Sequence, residues 1–205
     1  MKKFNMRKVL ATSMIAGVAF TAFATGATAG EQETKSNTVN FGLISGGIEL
    51  QTPEVLPFGD ITLKPTPETY HTSFEGSFNV KDLTGTQDGW RLDVSATPFT
   101  STGDLAHELP TGSFSMDNVS NITRVEDGTG TLPSKSYSGI KEIDGGVVNV
   151  AAAAKGEGAG VFDISFDKDN LSLEVDSTTA KTDPVEPGGK TKYVSTLTWD
   201  LVQAP

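Results

Sequence analysis

The chain contains no cysteine. This excludes disulfides, thiolate metal sites, cysteine nucleophiles and a lipid-bearing N-terminal cysteine together. Histidine is nearly as scarce: His71 and His107 are the only two, and their spacing offers no close metal-ligating pair. Basic residues are few, 16 against 26 acidic ones. Four of the 16 (Lys2, Lys3, Arg7 and Lys8) lie in the first 29 residues, which hold no acid, so the remainder carries a net charge of −14. Such a surface repels phosphate backbones and anionic bilayers, which argues against nucleic-acid partners. Beyond the N-terminus no apolar run approaches membrane-spanning length, so direct membrane insertion is not expected. A 3.6-residue apolar periodicity sustained over ten residues is also missing, and with it any long amphipathic helix.

What is present begins with an export address. A positive n-region is followed by an apolar stretch at 9–23 and by Ala27-Thr28-Ala29, an A-x-A cleavage site. The competing reading, an N-terminal transmembrane anchor, is disfavoured because the run is short, rich in small residues and followed by acidic chain. Residues 1–29 are therefore expected to be a signal peptide cleaved after Ala29, residues 30–37 a flexible leader, and residues 38–205 one domain. The expected location is outside the cell, at the surface. Removing 29 residues from 205 leaves 176, enough for a single sizeable core that must hold without disulfides.

Period-2 alternation supplies the elements. Val39, Phe41 and Leu43 read as a first strand, and Gly46-Gly47 turns the chain into Ile48-Glu-Leu50. Four prolines within 52–69 predict an extended crossing segment with one short strand at 61–63. Phe74, Phe78 and Val80 mark a longer strand over 72–83. Asp88-Gly89 then predicts a hairpin with the strand that follows at 89–99. The apolar spacing within 113–125 shifts partway, predicting a bulge or two short strands. A further strand is expected around 147–150, others at 162–166 and 171–175. The four alanines at 151–154 favour at most one helical turn, because the glycines at 156, 158 and 160 follow at once. Many short strands joined by Gly-, Pro- and Thr-rich connections predict an all-β fold: a β-sandwich of mostly antiparallel strands, with a barrel as the competing architecture.

Both tryptophans fall in Trp-x-Leu tripeptides. Trp90, Leu92, Val94 and Ala96 share one strand face, as do Tyr193, Leu197, Trp199 and Leu201 at the other end of the domain. The two stretches look like a matched pair. Together with 80–92, a strand feeding a glycine turn before Trp90, and with Gly156-Glu-Gly-Ala-Gly160 ahead of Ile164-Ser-Phe166, they resemble the WxL domain family of surface proteins from low-GC Gram-positive bacteria. The likeness spans essentially the whole chain after the signal region. It implies non-covalent attachment to the cell wall through peptidoglycan, assembly with other WxL proteins and a membrane-anchored WxL-interacting protein, and no enzymatic activity or cofactor. An adhesin-like module binding a host matrix protein or another surface protein is the competing reading.

Candidate binding residues are then Trp90, Leu92, Trp199 and Leu201. Two roles are open to them, stacking platforms for wall sugars or core residues. Their sharing of faces with Leu, Val and Tyr favours the core, since an exposed stripe of this kind is seldom tolerated. No catalytic residues are assigned: a nucleophile elbow is missing, and 26 acids make any choice of glycosidase pair arbitrary. Leu109-Pro-Thr-Gly112 lacks one residue of a sortase signal and reads as a turn. Acidic turns at 126–128 and 167–170 faintly suggest calcium, but the second lacks the glycine and final glutamate of an EF-hand loop, and no metal is assigned.

Overall fold

A computed structural model describes residues 38–102, 106–125, 128–182 and 190–203. The signal-peptide expectation therefore lies outside the described residues. Two compact units are separated, Met1–Gly42 and Leu43–Pro205. Of the first, only 38–42 are described, and they form no regular structure.

The second unit is all-β. In chain order its strands are β1 (Gly47–Gln51), β2 (Glu54–Val55), β3 (Glu68–Thr72), β4 (Phe74–Glu75), β5 (Phe78–Leu83) and β6 (Trp90–Ala96). The middle of the chain adds β7 (Thr100–Ser101), β8 (Phe114–Met116), β9 (Asn121–Arg124), β10 (Ser134–Lys135) and β11 (Lys141–Glu142). Then follow β12 (Val148–Ala153), β13 (Gly160–Ser165), β14 (Leu171–Val175), β15 (Tyr193–Val194) and β16 (Leu197–Gln203). No described residue is helical. Three four-stranded antiparallel sheets run β1-β5-β13-β9, β10-β12-β6-β16 and β11-β8-β14-β3, and two small ribbons pair β15 with β7 and β2 with β4.

Alternation decides which residues meet. Phe78 and Val80 on β5 are wholly buried and lie in register with Ile164 and Phe162 on β13. On β8, β14 and the segment before β12, Phe114, Met116, Leu171 and Ile143 enter the same core. Apolar surface removed from water contributes roughly 25 cal/mol per Å². With no disulfide available, this shared core holds the domain together.

Several expectations are corrected. Residues 72–83 and 89–99 do not form a hairpin: β5 lies between β1 and β13, while β6 lies between β12 and β16. The turn glycine has another purpose. Gly89 adopts φ +86°, and a Cβ there would stand 2.2 Å from the Ala153 carbonyl oxygen, so its bareness lets the chain slide past β12 into a different sheet. Residues 39–43 join no strand among the described residues, and Val39, Phe41 and Leu43 are 84–89% exposed. Alternation alone makes a segment fit to pair without providing an edge. At 61–63 the backbone is likewise in no strand. The alanines at 151–153 extend β12, with Ala151 and Ala153 buried opposite Leu92 and Trp90. Tertiary packing overrides helix propensity there because only a small side chain leaves room beside the indole. The shifted spacing within 113–125 does mark two strands, β8 and β9, in different sheets.

Gly158 offers a direct test of this packing. Its φ is +70° and a Cβ would stand 2.5 Å from Trp90 Nε1, whereas Gly85, at φ +78°, faces open space. Gly158→Ala should cost about 3 kcal/mol or more in urea unfolding, combining strain with overpacking, against about 1 kcal/mol for Gly85→Ala. Equal losses would contradict the close approach.

Candidate functional site

The structure brings the two Trp-x-Leu stretches side by side. β6 and β16 pair antiparallel, with Leu92 opposite Leu201, Val94 opposite Trp199 and Trp90 opposite Gln203. The last strand of the domain is thus zipped onto its middle. β6 is the inner strand, held by β12 on its other side, whereas β16 lies at the sheet edge.

Trp90 is 1% exposed and Leu92 is fully buried. The indole is enclosed by the glycine-rich segment that follows β12. Its Nε1–H donates to the Gly158 carbonyl at 3.0 Å, which satisfies the one polar atom the ring carries. Further bonds fix that segment, Gly158 N–H to the Thr131 carbonyl at 3.0 Å and Gly156 N–H to the Gln87 carbonyl at 2.8 Å. Gly130 approaches so closely that a Cβ would lie 1.9 Å from the Ala159 carbonyl oxygen. The glycines legible at 156–160 are therefore a saddle across the Trp90 ring.

Trp199 and Leu201 are half-buried and alternate with exposed Thr198, Asp200 and Val202. The Trp199 ring packs on Phe78 with centroids 4.3 Å apart and on Phe74 at 5.8 Å, and both phenylalanines also touch Phe166. The ring thus belongs to an aromatic cluster, while the residue as a whole stays half-buried.

Charge on the opposite face of β6 is managed locally. Asp93 is buried and stands directly across from Asp200 on β16, a pairing that like charges disfavour. Arg91 Nε donates to Asp93 Oδ2 at 2.7 Å and Asn149 Nδ2 to Oδ1 at 2.8 Å, which compensates both burial and repulsion. A second buried acid, Asp144, accepts the backbone N–H of Gly112 at 2.8 Å and of Phe114 at 3.1 Å. It thereby closes the turn at 109–112, the stretch that mimics a sortase signal. Burial raises the Tyr137 phenol well above its ordinary range, with Asp117 adding to the effect, so the hydroxyl stays a donor, here to the Asp117 carbonyl at 2.9 Å.

The remaining candidates stay apart. His71 faces Ser172 and His107 faces the Thr179 carbonyl. No three His, Asp or Glu side chains gather into a metal-holding group among the described residues. In the 167–170 turn, Asp169 takes φ +61° and donates its N–H to Ser73 Oγ at 2.8 Å, serving as a connector. Residues 126 and 127 lie outside the described set. What sequence reasoning missed is an open cleft of about 1180 Å³, bordered by the proline-rich segment 55–63 on one side and by 180–182 and 190–195 on the other. Its only trace in the sequence is the unpaired alternation at 61–63.

A disulfide-free antiparallel β domain, whose last described strand shares a Trp-x-Leu tripeptide with its central partner, is a class defined by how that strand is joined to the middle of the chain. Residues 28–205 match the family model of the WxL domain, described as surface cell wall-binding, and the chain belongs to that family. It is accordingly a cell-wall-binding surface protein. Comparison with curated proteins and with solved structures yields no match.

The enclosure of Trp90 sets its energetic weight. Trp90→Ala should lower unfolding stability by about 3–5 kcal/mol. Trp90→Phe should cost about 1–3 kcal/mol, because it leaves the buried Gly158 carbonyl without its donor. Urea midpoints close to that of the parent protein for both variants would show that the ring does not hold the core.

Proposed function

We propose that this chain is an exported, non-catalytic WxL protein held on the peptidoglycan wall without a covalent bond, as one component of a larger surface assembly. The observation that carries this reading is the family match over 28–205. Two structural facts support it. The stretch at 109–112 is held in a turn by Asp144. Trp90 and Leu92 are buried in the core, which favours a wall contact made by other surfaces.

Electrostatics narrows how that contact works. With a net charge of −14 after residue 29, bulk attraction to an anionic wall is unavailable. Recognition rests on local hydrogen bonding or stacking, or on bridging by divalent cations. A Debye length of about 10 Å at 0.1 M salt means added salt screens long-range repulsion and leaves short contacts in place.

Purified cell walls should sediment the protein, and raising salt from about 0.05 to 0.5 M should leave the bound fraction unchanged or higher. Protein remaining in the supernatant would refute wall binding. Binding that collapses with salt would refute the short-range mode.

A further inference from the structure

The cleft beside the proline-rich segment has three properties that together specify an occupant. The first is apolar surface. Among the described residues between 47 and 203, nine large apolar side chains remain exposed, and four of them, Val55, Leu56, Leu63 and Val194, border this one cleft. Behind them Phe58, Phe99 and Phe114 meet edge to face at 5.0–6.0 Å, giving a rigid aromatic lining. Concentrated exposed apolar surface of this kind marks interaction sites.

The second is charge. Among the described residues, Lys181, Lys190 and Lys192 line the cleft with one acid, Asp60, which pairs with Lys190. Lys181 and Lys192 are exposed and have no ion-pair partner among the described residues. In a protein with net charge −10, the described lining of the cleft thus holds three lysines to one acid beside its bare apolar side chains.

The third is backbone. Residues 59–63 lie outside any strand, and their N–H groups find no protein acceptor among the described residues. The 61–63 alternation, with Pro65 and Pro67 beyond it, is a strand pattern without a partner. An acyl chain would satisfy the apolar lining and leave these amides as they are. A polypeptide satisfies both.

We propose that this cleft is a docking site for an extended segment of another protein, aliphatic on one side and acidic on the other. The segment pairs its main chain with 61–63, seats its aliphatic side chains on the ring lining, and directs its carboxylates to Lys181 and Lys192. This goes beyond wall retention and does not depend on it.

A fluorescently labelled octapeptide of alternating valine and glutamate serves as the probe, with glutamine and lysine analogues and sodium decanoate as comparisons. The glutamate peptide should bind most tightly, and binding should slow hydrogen exchange at the 59–63 amides. The double variant Lys181→Glu, Lys192→Glu changes only exposed side chains. It should weaken binding at least about tenfold while the lysine analogue gains. Leu63→Ser, also at the exposed rim, should weaken binding several-fold without altering the urea midpoint. Both variants should sediment with purified walls as the parent protein does. Peptide binding insensitive to charge reversal, unchanged exchange at 59–63, or displacement of the peptide by decanoate at equal concentration would overturn the proposal. So would loss of wall binding in the double variant, which would place the wall ligand in the cleft, or a dimer that only the cleft variants dissolve, which would make the occupant a second copy.

Discussion

The bond from the Trp90 indole to the Gly158 carbonyl joins residues 68 apart in sequence, and β6 itself pairs with residues more than a hundred positions downstream. Everything around β6 depends on these long-range contacts. β12 reaches it only because its alanines are small, and the glycine segment closes over it only because Gly158 has no side chain. β16 can then complete the sheet and bring Trp199 onto the Phe74–Phe78–Phe166 cluster. Loop closure over such separations costs entropy that rises only slowly with length, so the stabilisation has to come from burial once the strands meet. No cysteine is available to shorten the search. Folds dominated by such non-local pairings fold slowly.

The pairing accounts for the two separated tripeptides of this chain. Each places a tryptophan and a leucine on the same strand face, and the pairing sets the two leucines directly opposite one another. The tripeptides are the two halves of one interaction. Residues beside them answer to the same constraint: Asp93 is tolerated opposite Asp200 because Arg91 and Asn149 bind it.

Where one strand face is buried, the alternation was readable directly. The faces of β6 and β16 and the all-β class followed from period-2 spacing, while the shifted spacing within 113–125 left a bulge or two strands open. The identity of each strand's neighbour did not. Asp88-Gly89 carries a hairpin signal, but Gly89 is required by the passing Ala153 carbonyl, which lies 64 residues away in sequence. Residues 39–43 and 61–63 have strand-like patterns and no edge to join within the described fold. The alanines at 151–153 were drawn into β12 by Trp90 and Leu92, partners that local propensity does not register. The cleft was invisible for the same reason, since its walls come from segments more than a hundred residues apart.

A division of labour emerges. Trp90 and Leu92 are buried, whereas Trp199 and Leu201 are half-buried on an edge strand, and the proposed wall contact lies elsewhere on the surface. The most direct test is the tryptophan emission of the protein free and bound to purified walls, with acrylamide as quencher, in the parent protein and in Trp90→Phe, where Trp199 is the sole emitter. If the signature acts from within, the emission maximum and the quenching of both proteins stay unchanged on binding. A blue shift with loss of quenching at Trp199 would show that the ring touches the wall and would contradict this account.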